Sequence, residues 1–195
     1  LAEPPAPLVW TAPEDRTAAA RLIPEGGRVL AVGPTANWIG KQWPAVRFAE
    51  AVRELTGQEG ILPNARVAIF GAAEERPMAE PLLAGLPPER LIDLVGRTDL
   101  AMAVACLQRC DFFLGNDSGL MHMAAAAGIP TLGLFGPSRE DHYAPWGPKA
   151  AAVRTAASLE EIVAAPGYDY RQPVSHMETL TVEAVVTAAR QLWQR

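Results

Sequence analysis

The chain has 195 residues, of which 49% are hydrophobic, and a net charge of −5. Length and apolar content suit one ordinary domain with a real core. An acidic balance without a basic run argues against a nucleic-acid partner, whose binding depends on counterion release. No apolar stretch approaches the ~18 residues that suggest a membrane span, so direct membrane insertion is not expected.

Two cysteines, Cys106 and Cys110, stand four apart on an apolar stretch, with no second Cys/His pair at metal-ligand spacing. They read as core packing and point to a reducing, cytoplasmic setting; no metal is expected. The chain opens at Leu1 with no Met and no export signal, and so reads as a trimmed piece.

Residues 1–12 contain Pro4, Pro5 and Pro7 and predict an extended linker or strap; residues 13–195 are expected to form the domain. A short helix should begin at Pro13 and end before Pro24, followed by a strand at residues 28–32 (RVLAV). Pro44 opens a helix in which Val46, Ala49, Val52 and Leu55 recur at three-residue steps until Gly57. The pattern then repeats. Strands are predicted at 66–70, 91–95, 111–114, 131–135 and 151–154, with helices at 77–83, 100–108, 119–127, 159–164 and 182–193 between and after them. Apolar strands alternating with helices predict an α/β fold with a doubly wound parallel sheet.

Such sheets bind ligands beyond the carboxyl ends of their strands, so the loops there are the places to search. The first, GPTANWIGKQWP at residues 33–44, carries Lys41 in a backbone-rich loop. It is neither a Walker A loop nor a G-x-G-x-x-G fingerprint, which disfavours a nicotinamide enzyme. Lys41 is either solvated or aimed at an anion. The second follows RVAIF and contains Gly71, Glu74 and Glu75. Either carboxylate could accept from ribose hydroxyls, or both could simply favour the next helix's positive end. The third, residues 115–119 (GNDSG), lies between strand DFFL and helix GLMHMAAAAG. Small residues at a helix N-terminus let an anion approach unpaired amides, although Asp117 or Ser118 could serve only as an N-cap. His122 lies in the first turn, facing either ligand or core. A fourth loop, LFGPS at 134–138, adds only position.

In order, GPTANWIGKQWP, VAIFGAAEE, LVGRTDL and NDSGLMHMAAAAGIPTLGLFGPS resemble the carboxyl-terminal half of glycosyltransferase family 9, the heptosyltransferase-like enzymes of lipopolysaccharide core synthesis. The resemblance implies a Rossmann-like domain of a GT-B architecture that binds a nucleotide-diphospho-sugar, commonly ADP-heptose, and inverts the anomeric centre without a metal or cofactor. Lys41 would then meet the diphosphate or sugar and act in catalysis with Asp117, the donor-sugar contact. Ser118 and Gly119 would hold the diphosphate, Glu74 or Glu75 the ribose, and Gly96, Arg97 and Thr98 would lie beside the base. Thr35, Gly71 and His122 complete the implied donor contacts.

Two departures stand out: Gln42 replaces the family's basic residue after the Lys, and Asn37 with Ile39 gives a loop without a clear sugar match. The resemblance also implies an amino-terminal domain that carries a carboxylate base and a lipid-linked or carbohydrate acceptor at the inner face of a membrane. Without that domain, an exposed cleft face could support a homodimer. The rival readings are a non-catalytic nucleotide-sugar binding module and a GT-B transferase using a UDP-sugar.

Overall fold

Strands that are apolar without alternation must be covered on both faces, and the chain folds accordingly. The computed structural model describes residues 5–195. Its six strands are β1 (Val29–Gly33), β2 (Arg66–Ile69), β3 (Leu91–Asp93), β4 (Phe112–Asn116), β5 (Thr131–Phe135) and β6 (Ala150–Arg154). They form one sheet in the order β3-β2-β1-β4-β5-β6, every pairing parallel. The helices are α1 (Pro13–Leu22), α2 (Ala45–Thr56), α3 (Arg76–Ala84), α4 (Leu100–Leu107), α5 (Gly119–Ala126), α6 (Glu140–Tyr143), α7 (Leu159–Ala164) and α8 (Val182–Trp193).

Successive strand residues point to opposite faces, and the core divides along that line. Leu30, Val32, Val67 and Ile69 meet Phe48 and Leu55 of α2, Leu82 of α3 and Val185 of α8. Val29, Ala31, Ala68 and Phe113 meet Ala19 of α1, Leu107 of α4 and Ala124 of α5. The edge strands β3 and β6 are only partly buried, whereas β1, β4 and β5 are buried throughout.

Cys106 and Cys110 sit within the second layer as free, buried thiols, and Cys110 Sγ donates to the Cys106 carbonyl at 3.3 Å. Burial pushes the Cys106 thiol up to about 11 and raises that of Cys110 as well. No described helix is long and apolar enough to cross a membrane.

Some expectations shift. Val46 is 63% exposed, and α2 instead buries Phe48, Ala51, Val52 and Leu55. Steps of three residues rotate the stripe by about 60° each time on a helix of 3.6 residues per turn, so Val46 falls off the buried face. β4 begins one residue later than expected and continues through Gly115 and Asn116, which are therefore sheet and not loop. Turns of 3-10 helix at Ile39–Lys41 and Ala73–Glu75, and the short α6, were not foreseen.

Residues 1–4 of the expected strap, Pro4 among them, lie outside the described residues. Residues 5–12 run without regular structure, and Thr11 Oγ1 donates to Gln108 Oε1 at 3.0 Å, beside the end of α4. The sheet order reverses at β1, whose neighbours are β2 and β4. That switch point is where a parallel sheet opens a crevice, and the pairing of Gly33 with Gly115 brings the loops after β1 and β4 together there.

Candidate functional site

The loop after β1 is tied down at both ends. Asn116, fully buried at the end of β4, donates from Nδ2 to the Pro34 carbonyl at 2.8 Å and accepts from the Trp43 amide at 3.1 Å. Trp43 in turn donates its indole N–H to the Leu180 carbonyl and packs edge-on against Phe48. Between these anchors the Ile39–Lys41 turn is held from the segment ahead of α8. Ser175 Oγ donates to the Gln42 carbonyl at 2.6 Å, and the His176 amide donates to that of Gly40 at 3.0 Å. Lys41 therefore stands on a backbone fixed on either side.

Its Nζ lies 2.6 Å from Asp117 Oδ2, and the two side chains are 24% and 6% exposed. An ion pair in this position joins the two residues that the sequence offered separately, one from each side of the switch point. Asp117 is consequently not a helix cap. Ser118 occupies the N-cap position of α5, but its side chain accepts no helix amide. Neither expected capping role is seen. The Met121 amide turns back to the Ser118 carbonyl at 3.2 Å, whereas those of Gly119 and Leu120 take no protein acceptor among the described residues and remain available beside a positively charged side chain. A Cβ added at Gly119 would meet nothing within 4 Å, so the approach to them is open.

Around this pair lies a cavity of about 530 Å³ lined by Thr35, Asn37, Lys41, Gly71, Glu75, Thr98, Asp117, Ser118, Gly119 and His122, among others. Glu75 Oε2 accepts from Thr35 Oγ1 and from the Ala72 amide, both at 2.8 Å, which pins the loop after β2 to the loop after β1. Oε1 has no protein partner among the described residues and remains free for a hydroxyl donor. His122 is exposed on the cavity wall and is not a core residue.

Three expected contacts fall outside this cavity. Glu74 is exposed and faces a neighbouring one, because the Ala73–Glu75 turn can aim only one of two consecutive carboxylates inward. Gly96 and Arg97 do not line it either. Gly96 adopts φ +71° and donates its amide to the Gly71 carbonyl, and a Cβ there would lie 2.9 Å from Ala73 Cα. It serves a tight turn. Arg97 reaches back to the Asp93 carbonyl at 3.1 Å.

The sequence reading also missed Leu100 and Ala103, which give the cavity an apolar wall. Leu100 is 73% exposed, and its only sequence signal was an apolar residue directly after the Asp99 N-cap of α4. Among the described residues no three His, Cys, Asp or Glu side chains gather where they could hold a metal ion.

The profile of glycosyltransferase family 9 (heptosyltransferase) matches residues 4–164. The chain is 35% identical over 117 residues to lipooligosaccharide heptosyltransferase 2 of Haemophilus influenzae, covering 58% of this chain and 32% of the relative. It is 35% identical over 134 residues to lipopolysaccharide heptosyltransferase 2 of Escherichia coli, covering 66% and 37%. The solved structure of E. coli ADP-heptose lps heptosyltransferase II superposes with a TM-score of 0.77 and 26% identity, covering all of this chain and 56% of that one. The family 9 glycosyl transferase of Veillonella parvula, at 22% identity, shares the fold with a TM-score of 0.80 over 96% of this chain and 53% of its own. The matched stretches thus span about a third of the curated relatives and just over half of the solved structures. With the matched profile extending over most of its length, the chain belongs to glycosyltransferase family 9.

Proposed function

We propose that this chain is the donor-binding half of an inverting, metal-independent glycosyltransferase of GT-B architecture, taking a heptose from a nucleotide-diphosphate donor to a lipopolysaccharide-type acceptor. The observation that carries the reading is the Lys41–Asp117 pair at the switch point, beside the uncapped end of α5. The heptose, the ADP and the lipopolysaccharide are taken from the names of the E. coli relatives.

In the proposed step, an acceptor hydroxyl oxygen bonds to the anomeric carbon as the bond from that carbon to the diphosphate oxygen breaks. The bonding pair leaves with the diphosphate, and the hydroxyl proton passes to a base outside this chain. Negative charge therefore grows on the leaving group. Lys41 Nζ has two N–H bonds beyond the one directed at Asp117, and these meet that charge together with the α5 amides. A helix terminus contributes ~0.3–2 kcal/mol and a preorganised donor aimed at developing charge about 3–4, so Lys41 carries the larger share. Asp117 holds the ammonium in place and presents its remaining lone pairs to sugar hydroxyls. Glu75 Oε1 suits a ribose hydroxyl, and Leu100, Ala103 and Thr98 form the wall suited to a base.

Calorimetric titration with ADP and with UDP, in buffer containing EDTA, tests the reading. ADP should bind saturably and more tightly than UDP. Lys41→Ala should weaken it at least ~10-fold, the loss expected of one charge-assisted hydrogen bond. Gly119→Val, a side chain that fits the fold but covers the amides, should do likewise. Tighter UDP binding would favour a UDP-sugar donor, and binding unchanged in both variants would remove the site from these loops.

A further inference from the structure

The strand order fixes which way a nucleotide must lie. Along the carboxyl edge of the sheet, the loops after β4 and β1 meet at the Lys41–Asp117 pair, the loop after β2 brings Glu75 next, and the loop after β3 stands beyond it. A nucleoside diphosphate with its phosphates at Lys41 and α5 and its ribose at Glu75 therefore extends its base toward the start of α4. The cavity there is apolar, with Phe70, Leu100, Ala103 and Met123 in its lining. Apolar contact of this kind holds a base without identifying it, since identity is read by a few polar groups placed at the edge of a ligand.

Two polar side chains line that end, Thr98 and Asp99. A hydroxyl both donates and accepts, so Thr98 does not select between edges. Asp99 does. It is the N-cap of α4, and its Oδ1 accepts from the Met102 amide at 2.8 Å, which fixes the side chain before any ligand arrives. Its Oδ2 takes no donor, and the residue makes no ion pair, among the described residues. Arg97, the nearest cation in sequence, is turned back to the Asp93 carbonyl. A cap requires one oxygen, and the second is left on a side chain already ordered, so little further entropy is lost when it takes a donor. A carboxylate oxygen only accepts. The exocyclic amine of adenine or cytosine suits it, whereas the carbonyl at the same place in hypoxanthine or uracil would set lone pair against lone pair.

We propose that Asp99 sets the base specificity of the donor site, accepting through Oδ2 from the exocyclic amine of the base. The proposal rests on the reading of this cavity as a nucleotide-sugar site, and adds the group that distinguishes an amino base from its oxo counterpart. The competing role is that of a helix cap alone, and one substitution separates the two. Asparagine caps a helix as well as aspartate does. When its oxygen keeps the Met102 amide, however, it presents an NH2 donor where Asp99 presents an acceptor.

The test is calorimetric titration of the native and Asp99→Asn chains with ADP, with purine riboside diphosphate, in which hydrogen replaces the amine, and with IDP, in which a carbonyl does. Thermal unfolding of both chains is followed alongside. The native chain should bind ADP at least ~10-fold more tightly than either analogue, the loss expected of one hydrogen bond to a charged group. Asp99→Asn should unfold as the native chain does, bind ADP no better than purine riboside diphosphate, and bind IDP at least as well as ADP. Lys41→Ala should weaken all three nucleotides by a similar factor, because it acts on the diphosphate that they share.

Equal binding of ADP and purine riboside diphosphate by the native chain, or an ADP preference that survives Asp99→Asn in full, would reduce Asp99 to a helix cap. With Lys41→Ala still weakening the nucleotides, the donor site itself would stand. Tighter binding of IDP than of ADP by the native chain would overturn the proposal in the same way. Failure of all three to bind, or binding indifferent to Lys41→Ala, would instead remove the donor reading and the base assignment with it.

Discussion

Lys41 and Asp117 illustrate how one pair can serve fold and chemistry at once. Asp117 is almost fully covered, so removing Lys41 leaves a carboxylate without its counter-charge in a place where water solvates it poorly. Lys41 is itself partly open to solvent, which moderates the cost. Lys41→Ala is expected to lose about 1–3 kcal/mol of stability, less than a fully buried pair would. The double variant Lys41→Ala/Asp117→Asn should recover most of that stability without recovering ADP binding, as thermal melts beside calorimetry would show. Equal recovery of both would make the pair a purely structural one.

The cysteines give a second prediction at this scale. With the Cys106 thiol pushed up to about 11 and that of Cys110 raised too, very little thiolate exists near neutral pH. Neither thiol should react with iodoacetamide in the folded chain at about pH 7.5, while both should react in denaturant. Mass spectrometry distinguishes the two cases.

Among the elements, the segment before α8 determines how firmly the Lys41 turn is held. Its two donors to the carbonyls of Gly40 and Gln42 are separated from that turn in sequence by more than a hundred residues, so only the tertiary fold reveals them. Ser175→Ala should cost about 1 kcal/mol, the value of one ordinary hydrogen bond. It should weaken ADP binding several-fold in the native background and not at all beside Lys41→Ala, because it acts through the lysine.

At the β6 edge of the sheet, Arg154 pairs with Glu140 of α6. The Arg154 hydrogen bond holds the Glu140 carboxyl below the ordinary glutamate value of 4.5. The unfolded chain therefore takes up the proton first as pH falls. The pair's contribution is complete above pH 4.5 and disappears as pH drops through the folded value. The pair is partly exposed, so its contribution is at most ~1 kcal/mol. Glu140→Gln should abolish that portion of the acid sensitivity in melts between about pH 6 and 3.

The elements were largely legible because apolar strands and capped or proline-initiated helices leave local signals. Pro13 and Pro44 both mark helix starts to within one residue. The two 3-10 turns left none, since three residues contain no period to read. The site was legible to the same degree. The loops carrying Lys41, Glu75 and Asp117 could be found from their place after strands, but which of Glu74 and Glu75 turns inward depends on a turn that propensity does not fix. Asn116 resembled a loop residue because its type favours loops, yet its buried amide is what staples Pro34 to Trp43.

For the whole molecule, the sheet order does the positioning. Reversal at β1 places one loop from each half of the sheet against the other, and each supplies one member of the charged pair. Two adjoining cavities then open along that edge, sharing a wall at Asn37 and Glu75. Everything in this arrangement turns on the place of the diphosphate. It is tested most directly by a crystal structure of this chain grown with ADP. Diphosphate oxygens are expected within hydrogen-bond distance of Lys41 Nζ and of the first amides of α5, with the ribose near Glu75. ADP bound elsewhere, or with its phosphates directed away from Lys41 and α5, would contradict it.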